Sequence, residues 1–306
     1  MSVLYTFDAD LDTVLQAASN EDLDPLVEFI QQAQISENLT SSPEFKRFFP
    51  DHQRYVHIIS HDLRAFGGHA VANLFRRGRG PNYRAVVCDV AKHFKLQFDE
   101  EAPLPAIERQ LLAHVMKELY GQMTDEQKQL FVSEVQQYQA SDTDAQDQKQ
   151  NFSPIVSTES RDVVVKAIEQ ANFEALSPKV LTLLSAVVNN TMARVWGTGA
   201  LITKLGDSLE QSISKLQSII NLPLNWLKQM FNALCELGGP SYRVIVPCVI
   251  HIAMLRIKQS SNLLAYQQPS NAPQLSKDIA PEEQQVKAKE DLQAQEDLQA
   301  QEDQHS

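Results

Sequence analysis

Apolar residues recur at three- and four-residue intervals along most of this chain, the spacing of helix faces and not of strands. Leu11, Val14, Leu15 and Ala18 share one face behind the acidic run Asp8 to Asp12. Asn20 is read as the cap of a second helix through Leu23, Leu26, Val27 and Ile30, with Pro25 early in it. Residues 35–43 read as loop. A longer helix follows Pro50, with Tyr55, Ile58, Ile59, Leu63 and Phe66 on one face, and Gly67-Gly68 is expected to end it in a left-handed cap. Pro81 is placed at the first position of the next helix, which carries Tyr83, Val86, Val87, Val90 and Phe94. Another runs from Pro105 through Ile107, Leu111, Val115 and Leu119. Thr124 and Gln127 form a capping box for a helix carrying Leu130, Phe131, Val135 and Tyr138.

Residues 139–153 break this pattern with Gln, Asp and Ser and read as a linker. Beyond a connecting helix over Val163 to Phe173, Pro178 starts a stripe of Val180, Leu183, Leu184, Val187, Val188, Val195 and Trp196. A second stripe, nearly heptad-spaced, takes in Ile202, Leu205, Leu209, Ile213, Leu216 and Ile220, and a third Leu224, Leu227, Phe231 and Leu234. The run Val244 to Leu255 holds Pro247 and His251 and then meets Arg256, so it reads as a buried core helix or an interfacial segment rather than a membrane span. The tail repeats Glu-Asp-Leu-Gln-Ala-Gln at 290–295 and 296–301, a low-complexity polar pattern.

The expected architecture is therefore all-α: two helical units joined by a polar linker, with a disordered acidic C-terminal tail. The divisions are a short helical segment over 1–40, a helical block over 41–138, linker and connecting helix over 139–176, an apolar basic unit over 177–266 and the tail over 267–306.

Charge sharpens this division. The net charge of -12 is unevenly spread: residues 1–174 carry 16 basic and 27 acidic side chains, 175–266 carry 8 and 3, and 267–306 carry 3 and 9. A basic apolar block between acidic segments points to partners, either a protein or an anionic membrane surface. Nucleic acid is not expected, because no basic stripe with interleaved aromatics is present. The 3 cysteines are too few and scattered for a disulfide framework, and the acidic start is unlike a secretory signal, so the expected setting is cytoplasmic, with a peripheral place at the inner membrane as the variant the basic unit allows.

Candidate chemistry is sparse. Arg76, Arg77, Arg79 and Arg84 surround Gly78 and Gly80 ahead of a helix N-terminus, a setting that can bind phosphate or carboxylate, although a charged helix connection is the plainer reading. His57 and His61 share a helix face, but no third ligand or protease glutamate accompanies them, so a half-buried histidine pair is expected. The pattern names no catalytic residue, no metal site and no cofactor.

The pentapeptide Gly-Pro-x-Tyr-Arg occurs twice, at Gly80–Arg84 and Gly239–Arg243, each followed by an apolar run reaching a cysteine. Its expected role is structural: two helix starts of one design, with Tyr83, Arg84, Tyr242 and Arg243 fixing packing.

These copies lie within a wider resemblance. Asp8-x-Asp10-Leu11-Asp12 with Asn20-Glu21-Asp22-Leu23 resembles the N-terminal segment of the bacterial YaaW family. Leu63-x-x-Phe66-Gly67-Gly68-x-x-x-x-Asn73, Tyr83-Arg84 and Asp89-Val90-Ala91-Lys92 resemble its central block, and Tyr242-Arg243-Val244-x-x-Pro247 with Ile252-Ala253-x-Leu255-Arg256 its C-terminal signature. The resemblance runs over roughly residues 3–260. It implies a helical protein whose central block is grouped with the ubiquinol–cytochrome c chaperones, assembly factors that act at membranes, and it carries over no catalytic residue. The function expected from all this is a non-enzymatic chaperone-like or scaffolding factor at a membrane surface or on a protein partner. A phosphate- or carboxylate-binding protein using the 76–84 turn, and a soluble oligomer joined through the 202–220 stripe, are the alternatives.

Overall fold

The computed structural model describes residues 5–32, 37–67, 80–140, 160–196, 207–220, 229 and 241–267, and the account of the fold is confined to these. They form α-helices and one 3₁₀ turn, with no strand among the described residues. In chain order the helices are α1 (Ala9–Gln16), α2 (Asn20–Gln32), α3 (Glu37–Ser41), α4 (Pro43–Phe48), α5 (Val56–Phe66), α6 (Tyr83–His93), α7 (Leu104–Gly121), α8 (Asp125–Ala140), α9 (Arg161–Glu169), α10 (Pro178–Trp196), α11 (Asp207–Lys215), α12 (Gln217–Ile220) and α13 (Tyr242–Gln267). The 3₁₀ turn His52–Tyr55 leads into α5. The described residues up to Asn262 belong to one compact unit. The linker over 139–153, apart from its first two residues, and the tail beyond 267 lie outside the described residues, as do the 224–234 stripe and the start of the 202–220 stripe.

The helix faces are those the spacing predicts. Leu11, Val14, Leu15 and Ala18 are buried, as are Leu23, Leu26, Val27 and Ile30, and Tyr55, Ile58, Ile59 and Leu63. Thr124 and Gln127 exchange the two bonds of a capping box at the start of α8 (2.9 and 3.3 Å). Leu130 differs from its expected place in the core: it is exposed on α8, while Phe131, Val132, Val135 and Tyr138 turn inward. In α13 every residue from Val244 to Leu255 is buried, Pro247 being accommodated within the helix.

Several local expectations are corrected. Residues 37–48, expected largely as loop up to 43, form α3 and α4, because the Asp62 carboxylate accepts the Leu39 amide (3.0 Å) and Ser42 Oγ caps α4 by accepting the Phe45 amide (3.0 Å). Ser19, not Asn20, caps α2: it trades bonds with Asp22, and Asn20 instead reaches Asp51 (3.1 Å) and the Gln53 amide (3.0 Å). Asn82 rather than Pro81 opens α6, accepting the Ala85 amide (2.9 Å). Gly67 ends α5 in the right-handed region (φ −71°). Its lack of a side chain serves close packing, since a Cβ there would come within 2.4 Å of a Val86 methyl.

One hydrophobic core draws on both sides of the 139–153 segment. α7 packs against α6, α9 and α10, and α8 against α9, α10, α11 and α12. The described part of the 202–220 stripe, Leu209, Ile213, Leu216 and Ile220, is buried within the chain, with a break between α11 and α12 at Leu216. The stretch Tyr242–Ser261 has the length and mean hydropathy (1.2) of a membrane-crossing helix, and 67% of it is buried inside the protein. Here it is the core helix of a packed bundle.

His251 shows how α13 is held. Its ring is fully buried, with Nε2 2.7 Å from the Asp22 carbonyl and Nδ1 3.2 Å from the Asn189 side chain. Burial pushes its pKa down to about 4, so the ring is neutral and Nε2–H donates to Asp22. Nδ1 then accepts, and it is satisfied when the Asn189 carboxamide presents its NH₂, which also gives the otherwise unpartnered Nδ2 a bond. A histidine whose folded pKa lies below its unfolded value of about 6.5 contributes stability that is complete above that pH and lost as pH falls toward the folded pKa. The loss expected between the two is roughly 3 kcal/mol. Urea denaturation between about pH 7 and about pH 4 will show a steep decline for the native chain and a flatter one for His251→Gln; equal slopes would sink this account.

Candidate functional site

Two of the residues singled out by sequence, Tyr83 and Arg256, meet at a buried polar junction where α6, α7 and α13 approach α1 and residues 5–8 ahead of it. Glu108, on the inner face of α7, is 2% exposed. Its carboxylate accepts from Arg256 Nε (2.6 Å) and Nη2 (3.3 Å) and from the Tyr83 hydroxyl (3.0 Å). Arg256 Nη2 also donates to the Asp10 carbonyl (2.6 Å), tying α13 to α1. Tyr83 donates its backbone amide to Asp8 Oδ2 (2.7 Å), and Asp8 caps α1 through the Asp10 amide (3.2 Å). Arg64, on α5, lies 3.5 Å from the same Asp8 oxygen and donates to the Thr6 carbonyl (2.9 Å). Five helices, α1, α5, α6, α7 and α13, together with residues 5–8 therefore share one chain of charge-assisted bonds.

The electrostatics follow from burial. Desolvation pushes the Glu108 carboxyl up, and Arg256 and the Tyr83 hydroxyl pull against it. Burial first, and then Glu108, hold the Tyr83 phenol well above its usual range. Tyr5, bonded to Asp12 beside this junction, is pushed up to about 12, chiefly by desolvation. Glu108 and the Tyr83 ring are the members of this cluster shut away from solvent.

A second cluster joins the two pentapeptide helices. Tyr242, the first residue of α13, donates its hydroxyl to Asp89 on α6 and lies 2.8 Å from His93 Nδ1. His93 Nδ1 also lies 2.8 Å from the Asp89 carbonyl, so its proton is shared between that carbonyl and the tyrosine oxygen. Tyr242 is raised above the ordinary phenol range by burial and by Asp89.

Of the proposed anion site, Arg76, Arg77, Arg79 and also Gly68 lie outside the described residues. Gly80 serves packing: a Cβ there would come 2.5 Å from the Arg64 backbone. Arg84 donates to the Glu100 carbonyl (2.6 Å) and Arg243 is exposed. His57 and His61 are half-buried, His61 beside Asp62 (3.3 Å) and His57 edge-on to Tyr5. Among the described residues no group of three or more His, Cys, Asp or Glu side chains could hold a metal ion. Sequence reading passed over Glu108 and Glu134 and took Asp22 only as part of the family motif; an isolated charge inside a helical stripe is the signal that could have marked all three.

Each of these three acids meets a base from the 175–266 block: Glu108 with Arg256, Asp22 with Lys258 (2.7 Å) and Glu134 with Lys215 (3.1 Å). Part of the uneven charge layout is thus answered inside the chain.

Among the described residues, fold and junction together define an all-helical protein whose early and late helices are joined by ion pairs on buried acids. The chain is similar to the UPF0174 protein YaaW of Escherichia coli, 29% identical over 265 residues that cover 84% of this chain and 97% of that protein. It is similar also to UPF0174 proteins of Helicobacter pylori, one 25% identical over 270 residues (83% of this chain, 93% of that protein) and another 26% identical over 224 residues (73% and 98%). These likenesses support the YaaW family, and the names state no activity or partner. No family model and no solved structure matches the chain.

Removing one partner of the Glu108–Arg256 pair strands a buried charge, at a cost of about 3–5 kcal/mol. Arg256→Met and Glu108→Met are each expected to lose stability on that scale in urea denaturation. The double substitution is expected to recover most of the loss; additive losses would show that the pair is not coupled.

Proposed function

We propose that the protein is a non-enzymatic, chaperone-like scaffolding factor that engages a protein partner through the corner formed by α4 and the turn after it. The observation carrying this reading is Phe49, a large aromatic side chain 55% exposed at the tip of the corner. It is braced by Phe45 (ring centroids 5.2 Å apart) and by His52 (5.8 Å). The guanidinium groups of Arg47 and Arg54 lie 5.1 and 5.8 Å from the neighbouring Phe48 ring. Braced aromatics beside arginines have the composition of protein-interface hot spots: much contact area, little side-chain entropy left to lose. The resemblance that groups the central block with the ubiquinol–cytochrome c chaperones points the same way.

A protein fits this corner better than an anionic membrane. Lys46, Arg47 and Arg54 are offset locally by Glu44, Asp51 and Asp24, so no net positive field draws the corner to acidic headgroups. The apolar faces of the 177–266 block, the other membrane candidate, are largely buried in the core where they are described.

Photoreactive benzoyl-phenylalanine placed at Phe49 and, as control, at the exposed Lys117 of α7 tests this in native cells. A discrete protein adduct is expected at 49 and not at 117, weakened by about fivefold or more by Arg47→Glu with Arg54→Glu. Identical adducts at both positions, or none, would overturn the reading. Flotation with phosphatidylglycerol vesicles without an adduct would assign the corner to a membrane instead.

A further inference from the structure

A cavity of about 310 Å³ opens between the turn after α6, the outer face of α7 and the turn linking α9 to α10. α7 contributes Arg109, Gln110 and His114 on successive turns of one face; Gln97 and Asn172 come from the two turns, and buried Phe173 forms part of the apolar lining. The volume is that of a site for a small molecule, near the lower end of the usual range.

Both turns are built in the same way. α6 and α9 each end with a non-glycine residue in the left-handed region, Lys95 (φ 56°) and Ala171 (φ 51°). Each is followed by a closing bond back over the last turn, from the Leu96 amide to the Ala91 carbonyl (3.0 Å) and from the Asn172 amide to the Ala167 carbonyl (2.9 Å). This is the Schellman arrangement, in which glycine normally occupies the left-handed position. Here Lys95 and Ala171 take it despite their Cβ atoms, and Leu96, Gln97, Asn172 and Phe173, immediately beyond, line the cavity.

Arg109 sets the chemistry. Its Nε is buried and has no hydrogen-bond partner, and among the described residues no carboxylate pairs with its guanidinium. α7 offers no acid at the helical neighbour positions, which hold Pro105, Ala106, Leu112 and Ala113. By contrast Arg64, Arg84 and Arg256 each have an anionic or carbonyl acceptor, and Arg47 and Arg243 are exposed. Beside Arg109 stand the amides of Gln110 and Gln97 and the half-buried His114 imidazole, which burial holds below its ordinary pKa and so keeps neutral. Glu174 is the one acid lining the cavity, and it is exposed. One unanswered planar cation with neutral amide donors suits a singly charged, planar oxyanion, which a guanidinium fork can bind through two parallel bonds.

We propose that this cavity binds a small carboxylate-bearing molecule, anchored by the Arg109 guanidinium and oriented by the Gln110 and Gln97 amides. The site is separate from the α4 corner and from the 76–84 turn, and its test does not depend on either.

Thermal unfolding of the full chain is measured with glutamate, succinate, lactate and citrate, and in a parallel arm with inorganic phosphate. At least one carboxylate is expected to raise the midpoint saturably, as binding to the folded state alone must, while phosphate does not. Arg109→Met should abolish the shift. Ala106→Phe, which fills the cavity and keeps the arginine, should abolish it too, and it stands in if the first variant fails to fold. Absence of a shift with every carboxylate, or a shift that survives both variants, overturns the proposal; a response to phosphate alone overturns the carboxylate assignment.

Discussion

The buried contact between Glu108 and Arg256 is the constraint on which the arrangement of helices turns. Moving both ions out of water costs several kcal/mol each, and that cost is recovered only when every lone pair and donor finds a partner. The Tyr83 hydroxyl takes one carboxylate oxygen, Arg256 reaches both, and the guanidinium spends a further N–H on the Asp10 carbonyl. The triad satisfies its charges only when Tyr83, Glu108 and Arg256 arrive together, so its desolvation cost is met only when α6, α7 and α13 meet as they do here.

The same logic recasts the charge layout. The acidic front and the basic 175–266 block suggest, as sequence, a protein looking for a partner. In space, Glu134 with Lys215, Glu108 with Arg256 and Asp22 with Lys258 make part of that asymmetry an internal complement. The three acids are nearly buried, and in each pair the base comes from the later part of the chain. Lys179 and Arg194 add bonds to the carbonyls of Gln139 and Ile220. Net charge by segment therefore measures association between parts of one chain as readily as association with another molecule.

What the sequence made legible was periodic. Faces such as Leu11/Val14/Leu15 and Val180/Leu183/Leu184 are readable because burial repeats every turn and a single residue hardly matters. The corrections fall where one side chain decides: Ser19 over Asn20 as a cap, Asn82 over Pro81 as a helix start, Leu39 bonded to Asp62 where a loop was expected. Gly67 shows the limit most plainly. Two adjacent glycines after a helix suggest a left-handed cap, but the reason for Gly67 is a valine of α6, nineteen positions on in sequence, whose methyl leaves no room for a Cβ. The carboxylate cavity was illegible for a related reason: Arg109 matters through what is missing around it, and only the packed structure reveals a missing partner.

The two Gly-Pro-x-Tyr-Arg copies gain their meaning from each other. In both, the tyrosine is the first residue of its helix, and in both its hydroxyl donates to a carboxylate on another helix: Tyr83 to Glu108, Tyr242 to Asp89. Asp89 belongs to α6, the helix that the first copy starts; Arg256, which holds Glu108 in place for Tyr83, belongs to α13, the helix that the second copy starts. Each copy thus depends on a residue carried by the helix of the other, one link at the start of α13 and one further along it. A repeated helix start is ordinarily a local signal, specifying where a helix begins and little more. Here the links make it a long-range one: the Tyr242 hydroxyl finds its carboxylate only when the start of α13 meets α6, whose first residue lies 159 positions earlier, and the acceptor of Tyr83 is held by an arginine of α13.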